Sequence, residues 1–228
     1  MDGQRELEHF AQQLAREILS RHSDRPQECL LVCVIGGGQI VGKDGTLKTR
    51  LAEVLCQELE KASPELKIAK FSTDAYLYPF EFFGTKLRGV APNQYNWERL
   101  IADIRHLKKD KGEVTIQEYV HGEAIERQIG PHLDVLIFEG ICSALAPDVK
   151  GMADICIGVI EETNQEYLKK EVERLTKQGY TEGEVLNTFA QTQFTVRQDI
   201  FARELREKAD FVLRLDEDPP KMYSRSRQ

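Results

Sequence analysis

A glycine-rich segment, residues 36–49, holds the residue types and spacing that could do chemistry most directly. It reads Gly-Gly-Gly-Gln-Ile-Val-Gly-Lys-Asp-Gly-Thr-Leu-Lys-Thr and follows an apolar run. Glycines let backbone N–H groups converge on an anion, and the first turn of a following helix adds partial positive charge. A lysine can then reach the outer phosphates of a nucleotide, and a Ser or Thr hydroxyl can ligate Mg²⁺. The segment therefore predicts a loop that binds a polyphosphate.

The loop can be read in two registers, which assign different lysines to the phosphate. In the first, Gly37 and Gly42 precede Lys43 at the spacing of a phosphate-binding loop. Asp44 then stands where the metal-binding hydroxyl belongs, and its charge would repel phosphate unless a metal ion intervened.

The second register uses Lys48 and Thr49, which supply the ammonium group, the hydroxyl and the start of a helix together. Leu47 occupies the usual glycine position in this register, and the loop that leads to it is several residues long. We favour this register, and the first one stays open.

Two carboxylates follow other apolar runs. Asp74 comes after the run 68–72, and Glu139 comes after the run 133–138. An acid at such a place can accept a hydroxyl proton or hold Mg²⁺ through water. An isolated Asp after a strand is more often a turn former. Because three such features follow three apolar runs in chain order, we expect them to form one site.

The elements that must position these groups alternate along the chain. Strands are expected at 29–35, 68–72, 133–138, 155–160 and 211–215, and helices at 7–18, 47–59, 97–107 and beyond 163 and 181. Alternating strands and helices predict an α/β fold with a doubly wound, mostly parallel five-stranded sheet flanked by helices. Residues 113–128 are expected to form an extra hairpin or an excursion from the sheet. Ligands of such folds gather beyond the carboxyl ends of the strands.

Length and composition favour a single domain over residues 1–228, since no Pro/Gly/Ser-rich linker divides the chain. Within it we expect an N-terminal helix at 1–24, an excursion at 80–130, a lid with a following helix at 163–208 and a frayed tail at 219–228. The formal charge of −7 argues against a nucleic-acid partner. No membrane partner is expected, and cysteines without CxxC spacing suggest a cytoplasmic protein.

Six segments together resemble one enzyme family. They are 48–52, 73–79, 92–97, 118–121 (with Tyr-x-His), 134–140 (Asp, an apolar run, then Glu-Gly) and 209–212 (with Ala-Asp). They are similar to motifs of the uridine kinase, phosphoribulokinase and type I pantothenate kinase group of P-loop kinases, over about residues 29–215. The resemblance implies a P-loop NTPase-like fold and ATP-dependent phosphorylation of a hydroxyl on a small molecule, with Mg²⁺.

The resemblance also implies residue roles. Phosphates of ATP would contact Gly42, Lys43, Gly45, Thr46, Lys48 and Thr49; Mg²⁺ would bind Thr49 and Glu139; the acceptor would contact Tyr78, Tyr119, His121 and Arg197. Asp74 would orient or deprotonate the acceptor hydroxyl, and Lys48 would take part in catalysis. The acceptor would be a metabolite such as a nucleoside or pantothenate.

Some positions depart from the family pattern. Asn96 stands where an Asp is usual, and Glu173 and Gln178 replace arginines of the lid. Fewer arginines over the phosphates should slow phosphoryl transfer. The alternatives are a degenerate, non-catalytic module that binds a nucleotide or phosphate, and an α/β domain whose loop binds no phosphate. The first helix could cover either its own sheet or a second copy, so homo-oligomerisation stays open.

Overall fold

A computed structural model describes most of the chain. The described residues are 2–36, 47–78, 95–110, 112–120, 123–140, 151–160, 169, 172–173, 175–177, 179–188, 209–214 and 220–224. The helices are α1 (Asp2–Asp24), α2 (Leu47–Ala62), α3 (Trp97–Arg105) and α4 (Glu182–Thr188). The strands are β1 (Leu30–Gly36), β2 (Ile68–Ser72), β3 (Val114–Val120), β4 (Glu123–Ile129), β5 (Val135–Gly140), β6 (Ile155–Ile160), β7 (Phe211–Arg214) and β8 (Lys221–Ser224).

Strand β1 lies inside a six-stranded sheet with the order β2-β5-β1-β6-β7-β8. It pairs in parallel with β5 on one side and with β6 on the other. Strands β2 and β7 continue the sheet in parallel on the two sides. The five strands expected from the sequence are therefore present and parallel, and the doubly wound α/β fold is confirmed.

The apolar run of β1 is buried on both faces of the sheet. Its odd-numbered residues from 31 to 35 pack with Leu100 and Ile104 of α3. Its even-numbered residues from 30 to 34 pack with α1 and α2. A strand covered on both faces needs apolar side chains at every position, which explains the absence of polar alternation in this run.

Helix α1 covers the sheet of its own chain. Leu7, Leu14 and Ile18 are buried in one cluster with residues of α2 and the central strands.

None of the helices in the described ranges combines the length and the apolar character that crossing a bilayer would require.

The hairpin expected at 113–128 is present as the antiparallel pair β3–β4, a separate two-stranded sheet. Two arginines attach it to its surroundings. The Arg99 guanidinium of α3 donates to the Thr115 carbonyl at 2.9 Å, and that of Arg127 donates to the Lys70 carbonyl of β2 at 3.2 Å. Apolar packing of Val114 and Ile116 in the α3-side core completes the attachment.

The tail differs from the expectation that residues 219–228 fray. Residues 221–224 form β8, which pairs antiparallel with β7. Without β8 the outer edge of β7 would leave its backbone donors and acceptors unpaired. The Met222 side chain also packs against the core on the α1 side. This expectation is therefore wrong for residues 221–224.

Three aspartates tie the amino ends of the parallel strands together. Asp134, Asp154 and Asp210 each directly precede a strand, and each carboxylate accepts from a backbone amide at the start of the adjacent strand. The pairs are Lys67 N–H to Asp134, Leu31 N–H to Asp154 and Cys156 N–H to Asp210, each at 2.8 Å. Asp154 also bonds the Lys108 ammonium and lies 3.7 Å from the Arg25 guanidinium.

Cysteines lie inside the same sheet. Cys33 of β1 and Cys156 of β6 are register partners, and both are buried thiols that form no disulfide with each other. Burial raises the pKa of the Cys33 thiol well above its ordinary value of 9.0, and the neighbouring Cys156 adds to the shift. Cys56, less deeply buried in α2, has its pKa raised to about 11, chiefly by burial.

Candidate active site at the carboxyl edge of the sheet

The carboxyl ends of β2, β5 and β1 meet at one edge of the sheet, because these strands are consecutive in the sheet order. Glu139 of β5 lies in register between Val34 of β1 and Ser72 of β2. The segment after β1 leads to α2, and the segment after β2 carries Asp74. The topology therefore brings two of the candidate loops to either side of Glu139.

Lys48 is the second residue of α2 and is only 5% exposed. Its Nζ atom lies 3.9 Å from Glu139 Oε2, and the Glu139 side chain is equally buried. An ammonium group removed from water is stabilised by an opposite charge nearby. The pair therefore places a fixed positive charge at the carboxyl edge, directly after the glycine-rich segment.

Glu139 is a buried carboxylate that its surroundings satisfy only in part. Oε2 has no hydrogen-bond donor among the described residues. Burial raises the pKa of the Glu139 carboxyl, and the Asp74 charge adds to the shift. The Lys48 ammonium and a hydrogen bond from the Ser72 hydroxyl oppose it. A buried carboxylate oxygen without a donor is suited to a hard cation, which prefers oxygen ligands.

This edge could hold Mg²⁺ only with help from other ligands. No group of three or more His, Cys, Asp or Glu side chains that could enclose a metal ion occurs within the described ranges. Mg²⁺ commonly keeps several waters and binds through one or two protein groups together with substrate phosphates. The Glu139 oxygen and the hydroxyl of Thr49, the third residue of α2, fit that pattern.

Asp74 lies in a single turn of 3₁₀ helix, Thr73–Tyr76, that directly follows β2. The Asp74 N–H donates to the Ser72 hydroxyl at 3.3 Å, which caps the turn. Asp74 is solvent-exposed, and its Oδ1 accepts from the Tyr95 hydroxyl at 3.4 Å. The turn therefore presents a carboxylate to solvent beside the buried Lys48–Glu139 pair.

Gly140 allows this turn to approach β5. A Cβ atom at position 140 would overlap the Thr73 side chain, whose hydroxyl is buried without a hydrogen-bonding partner in the described structure. A side chain at position 140 would therefore push the Asp74 turn away from Glu139. Glycine is needed here for close approach of two segments, which the Glu-Gly sequence did not by itself reveal.

Only two of the remaining candidates from the sequence, Tyr78 and Tyr119, lie among the described residues. Tyr78 follows the 3₁₀ turn by two positions and is half-buried, and Tyr119 is the penultimate residue of β3. The candidates that lie outside the described residues are Gly42, Lys43, Gly45, Thr46, His121 and Arg197. The structure thus brings together Lys48, Glu139 and the Asp74 turn, and leaves the other assignments as predictions.

Sequence reasoning missed Tyr95, which contacts the predicted acid. Its ring is 2% exposed and stacks on Trp97, with the centroids 5.0 Å apart. The sequence feature that could have indicated Tyr95 is its position directly before Asn96. The Asn96 side chain caps α3 by accepting from the Arg99 N–H at 3.1 Å. An aromatic residue immediately before a helix cap is well placed to pack back onto the preceding segment.

Comparison with known proteins gives a consistent result. Residues 32–213 match the model of the Phosphoribulokinase / Uridine kinase family. A pantothenate kinase of Lacticaseibacillus casei (strain BL23) is 33% identical over 119 residues, which are 47% of this chain and 35% of the relative. A pantothenate kinase of Limosilactobacillus fermentum is 30% identical over 114 residues, 47% of this chain and 36% of the relative. The chain thus matches about a third of the length of these relatives.

Among solved structures, one described as a possible uridine kinase from Bacillus stearothermophilus superposes with a TM-score of 0.62 at 17% identity. The superposition covers 92% of this chain and 98% of that one. At this identity the likeness establishes a shared fold over nearly the whole chain.

Proposed function

Because this chain belongs to the phosphoribulokinase/uridine kinase family, we propose that it transfers a phosphoryl group from Mg-ATP to a hydroxyl of a small metabolite. The observation that carries the proposal is the buried Lys48–Glu139 pair at 3.9 Å, with Asp74 on the adjoining turn. A cation and two carboxylates at the carboxyl ends of parallel strands are the groups that phosphoryl transfer requires.

Lys48 and the amides of the glycine-rich segment would hold the phosphates of ATP. The Lys48 ammonium is already inside the fold and already fixed beside a carboxylate, so it can bind phosphate oxygens without a large loss of side-chain entropy. Its location supports the register that uses Lys48 and Thr49. Residues 42–46 would complete the cradle.

Thr49 and Glu139 would hold Mg²⁺ together with water and phosphate oxygens. When bound, the ion would neutralise charge that builds on the phosphates during transfer. Phosphate binding would draw the Lys48 ammonium toward the nucleotide, and the Glu139 carboxylate would then compensate the metal. The donor-free Oε2 atom supports this role.

Asp74 would receive the proton of the acceptor hydroxyl. The acceptor oxygen forms a bond to the γ-phosphorus, the bond from that phosphorus to the bridging oxygen breaks, and the electron pair leaves on ADP. The hydroxyl proton moves to the Asp74 carboxylate. Asp74 is exposed on its turn and can therefore reach an incoming ligand.

The acceptor pocket would lie between this turn and the β3–β4 hairpin. Tyr78 follows the turn, and Tyr119 and His121 lie at the end of β3 and directly after it. Arg197 would add a charge from the later part of the chain. The similarity to pantothenate kinases makes pantothenate one acceptor to test. Membership of a family that includes uridine kinases makes nucleosides another, with equal weight.

We also propose a cytoplasmic location. Four described cysteines, including Cys33 and Cys156, form no disulfide with one another, as expected in a reducing compartment. ATP as the phosphoryl donor agrees with that compartment.

The proposal is tested by ADP release from Mg-ATP over a panel of pantothenate, nucleosides and sugar phosphates. Turnover that depends on one acceptor class supports it. Thermal shifts with Mg-ATP but no turnover on any acceptor would instead support the non-catalytic nucleotide-binding module. Absence of a shift with Mg-ATP, metal-free ATP or ADP would support a domain that binds no phosphate.

A further inference from the structure

The Asp74 carboxylate is not held by packing. Asp74 is solvent-exposed, and its side chain has only two rotatable bonds between the backbone and the oxygens. The Ser72 cap fixes its backbone amide, whereas the Tyr95 hydroxyl contacts the carboxylate itself. An exposed carboxylate in water samples several rotamers, so a group that must receive a proton in one direction needs a fixed donor.

Tyr95 supplies a fixed donor. Its ring is almost fully buried and stacked on Trp97 at an interplanar angle of 28°. Its backbone forms an antiparallel bridge with Leu77, and the Asn96 N–H donates to the Tyr76 carbonyl at 2.8 Å. Tyr95 and its neighbour Asn96 are therefore bonded to Leu77 and Tyr76 at the end of the turn. This attachment leaves the Tyr95 hydroxyl little freedom to move.

We propose that the Tyr95 hydroxyl is a positioning group that holds the Asp74 carboxylate in the orientation that receives the acceptor's proton. The inference rests on the proposed function for the role of Asp74 and on the 3.4 Å contact between Tyr95 Oη and Asp74 Oδ1 for the geometry. By bonding to Oδ1, the hydroxyl restricts rotation of the carboxylate about its side-chain bonds. Tyr95 itself touches no reacting atom in this scheme.

The chain offers a matched control. Tyr76, in the same turn, is also buried, but its hydroxyl has no hydrogen-bonding partner within the described residues. Asp103 lies close enough for its charge to affect that hydroxyl without forming a bond of normal geometry. Tyr76→Phe and Tyr95→Phe each remove one buried oxygen from the same region, and only Tyr95→Phe removes the contact with Asp74.

The first measurement needs no turnover. In a double-mutant cycle of Tyr95→Phe with Asp74→Ala, measured by urea unfolding, the effects on the unfolding equilibrium constant should deviate from additivity by about three- to tenfold. The cycle of Tyr76→Phe with Asp74→Ala should be additive. Both phenylalanine substitutions keep the ring and its packing, so folding of the variants is expected.

The second measurement separates orientation from binding. On the acceptor identified by the panel, Tyr95→Phe should lower kcat by about tenfold and leave the KM for ATP unchanged. In the Asp74→Ala background Tyr95→Phe should have no further effect on kcat. Tyr76→Phe should stay within about twofold of the parent.

The outcomes are distinguishable. An additive Tyr95–Asp74 cycle overturns the inference whether or not the protein turns over ATP, and so does an unchanged kcat in an active Tyr95→Phe variant. A coupled cycle in a protein that phosphorylates no acceptor overturns the proposed function and supports the contact. A coupled cycle with the selective loss of kcat supports both.

Discussion

The two edges of the central sheet use carboxylates in opposite ways. At the amino edge, the carboxylates of Asp134, Asp154 and Asp210 each accept a backbone amide of the adjacent strand at 2.8 Å. At the carboxyl edge, Glu139 is buried with one oxygen that lacks a donor in the described structure, and Asp74 faces solvent. The first group completes the hydrogen bonding of the fold, and in the second group the Glu139 Oε2 atom is available to a ligand.

The difference shows how a structural acid is distinguished from a candidate functional acid in the same sheet. The three aspartates precede strands, whereas Glu139 and Asp74 lie at or after the end of one. Hydrogen bonding sets Glu139 apart as well, because native proteins rarely leave a buried polar atom without a partner unless it serves another purpose. Variants of the two edges should therefore change different properties.

The largest effect is expected at the carboxyl edge. Lys48→Ala should lower ATP turnover by about 10³-fold, since it removes the cation that we propose contacts the transferring phosphates. The free energy of unfolding should fall by less than about 2 kcal/mol, because Glu139 can take up a proton in place of its partner. Steady-state kinetics and urea unfolding check both parts.

Lys61→Ala is the matched control for this variant. Lys61 is on the same helix, is exposed and pairs with Glu58, so its removal should leave turnover unchanged. If Lys43→Ala abolished turnover and Lys48→Ala did not, the register favoured here would be incorrect.

The amino edge should show the reverse pattern. Asp154→Ala removes the acceptor of the Leu31 amide and the partner of the Lys108 ammonium, so it should lower the free energy of unfolding by about 3 kcal/mol. Asp154→Asn keeps an oxygen for the amide and should lose less. In both variants the KM for ATP should stay at the parent value; a rise in that KM in folded protein would contradict the division between the edges.

Gly140→Ala should have a smaller effect that involves both stability and turnover. The added methyl group would overlap the Thr73 side chain, and the resulting shift of the Asp74 turn should lower the unfolding free energy by about 2 kcal/mol together with kcat. Gly183→Ala serves as the control, since a Cβ atom there meets nothing within 4 Å. Equal unfolding free energies for the two variants would argue against the close approach.

The smallest effect is a pH dependence of stability at Glu139. Because burial raises its pKa above the ordinary value of 4.5, the folded protein holds this proton more tightly than the unfolded chain. The contribution is therefore favourable at low pH and is lost as pH rises from 4.5 through the raised pKa.

The Gln side chain of the Glu139→Gln variant cannot ionise, so the unfolding free energy of this variant should rise relative to that of the parent across that pH window. Urea unfolding of both proteins at a series of pH values measures the difference. A difference that stays constant from acid to neutral pH would contradict the raised pKa.

Local sequence patterns predicted much of this structure. The unbroken apolar run at 29–35 predicted strand β1, and Thr181 and Glu184 have the three-residue spacing of a capping box at the start of the helix expected beyond 181. In the structure the Glu184 N–H donates to the Thr181 hydroxyl at 3.2 Å, and the Thr181 N–H donates to the Glu184 carboxylate at 2.8 Å. Such features depend on residues close in sequence, which is why a pattern can reveal them.

Features that depend on distant partners were not predictable in the same way. Strand β8 depends on the free edge of β7, and the bond from Tyr95 to Asp74 spans 21 positions. Lys48, Glu139 and Asp74 were expected from the sequence to form one site, and the order of strands in the sheet shows which edge they share. Nothing in the sequence distinguished the donor-free oxygen of Glu139 from the satisfied ones of Asp154.

The thiols of Cys33 and Cys156, which are register partners on β1 and β6, can be used to detect opening of the sheet. An alkylating reagent reacts only with an accessible thiolate. Burial raises the pKa of the Cys33 thiol, which keeps it protonated, and also shields it from the reagent. Modification of Cys33, followed by peptide mass spectrometry, should therefore require openings that expose β1 from the core on the α3 side. A nucleotide that binds only the folded chain would slow this labelling by the factor 1 + L/Kd, where L is the free nucleotide concentration.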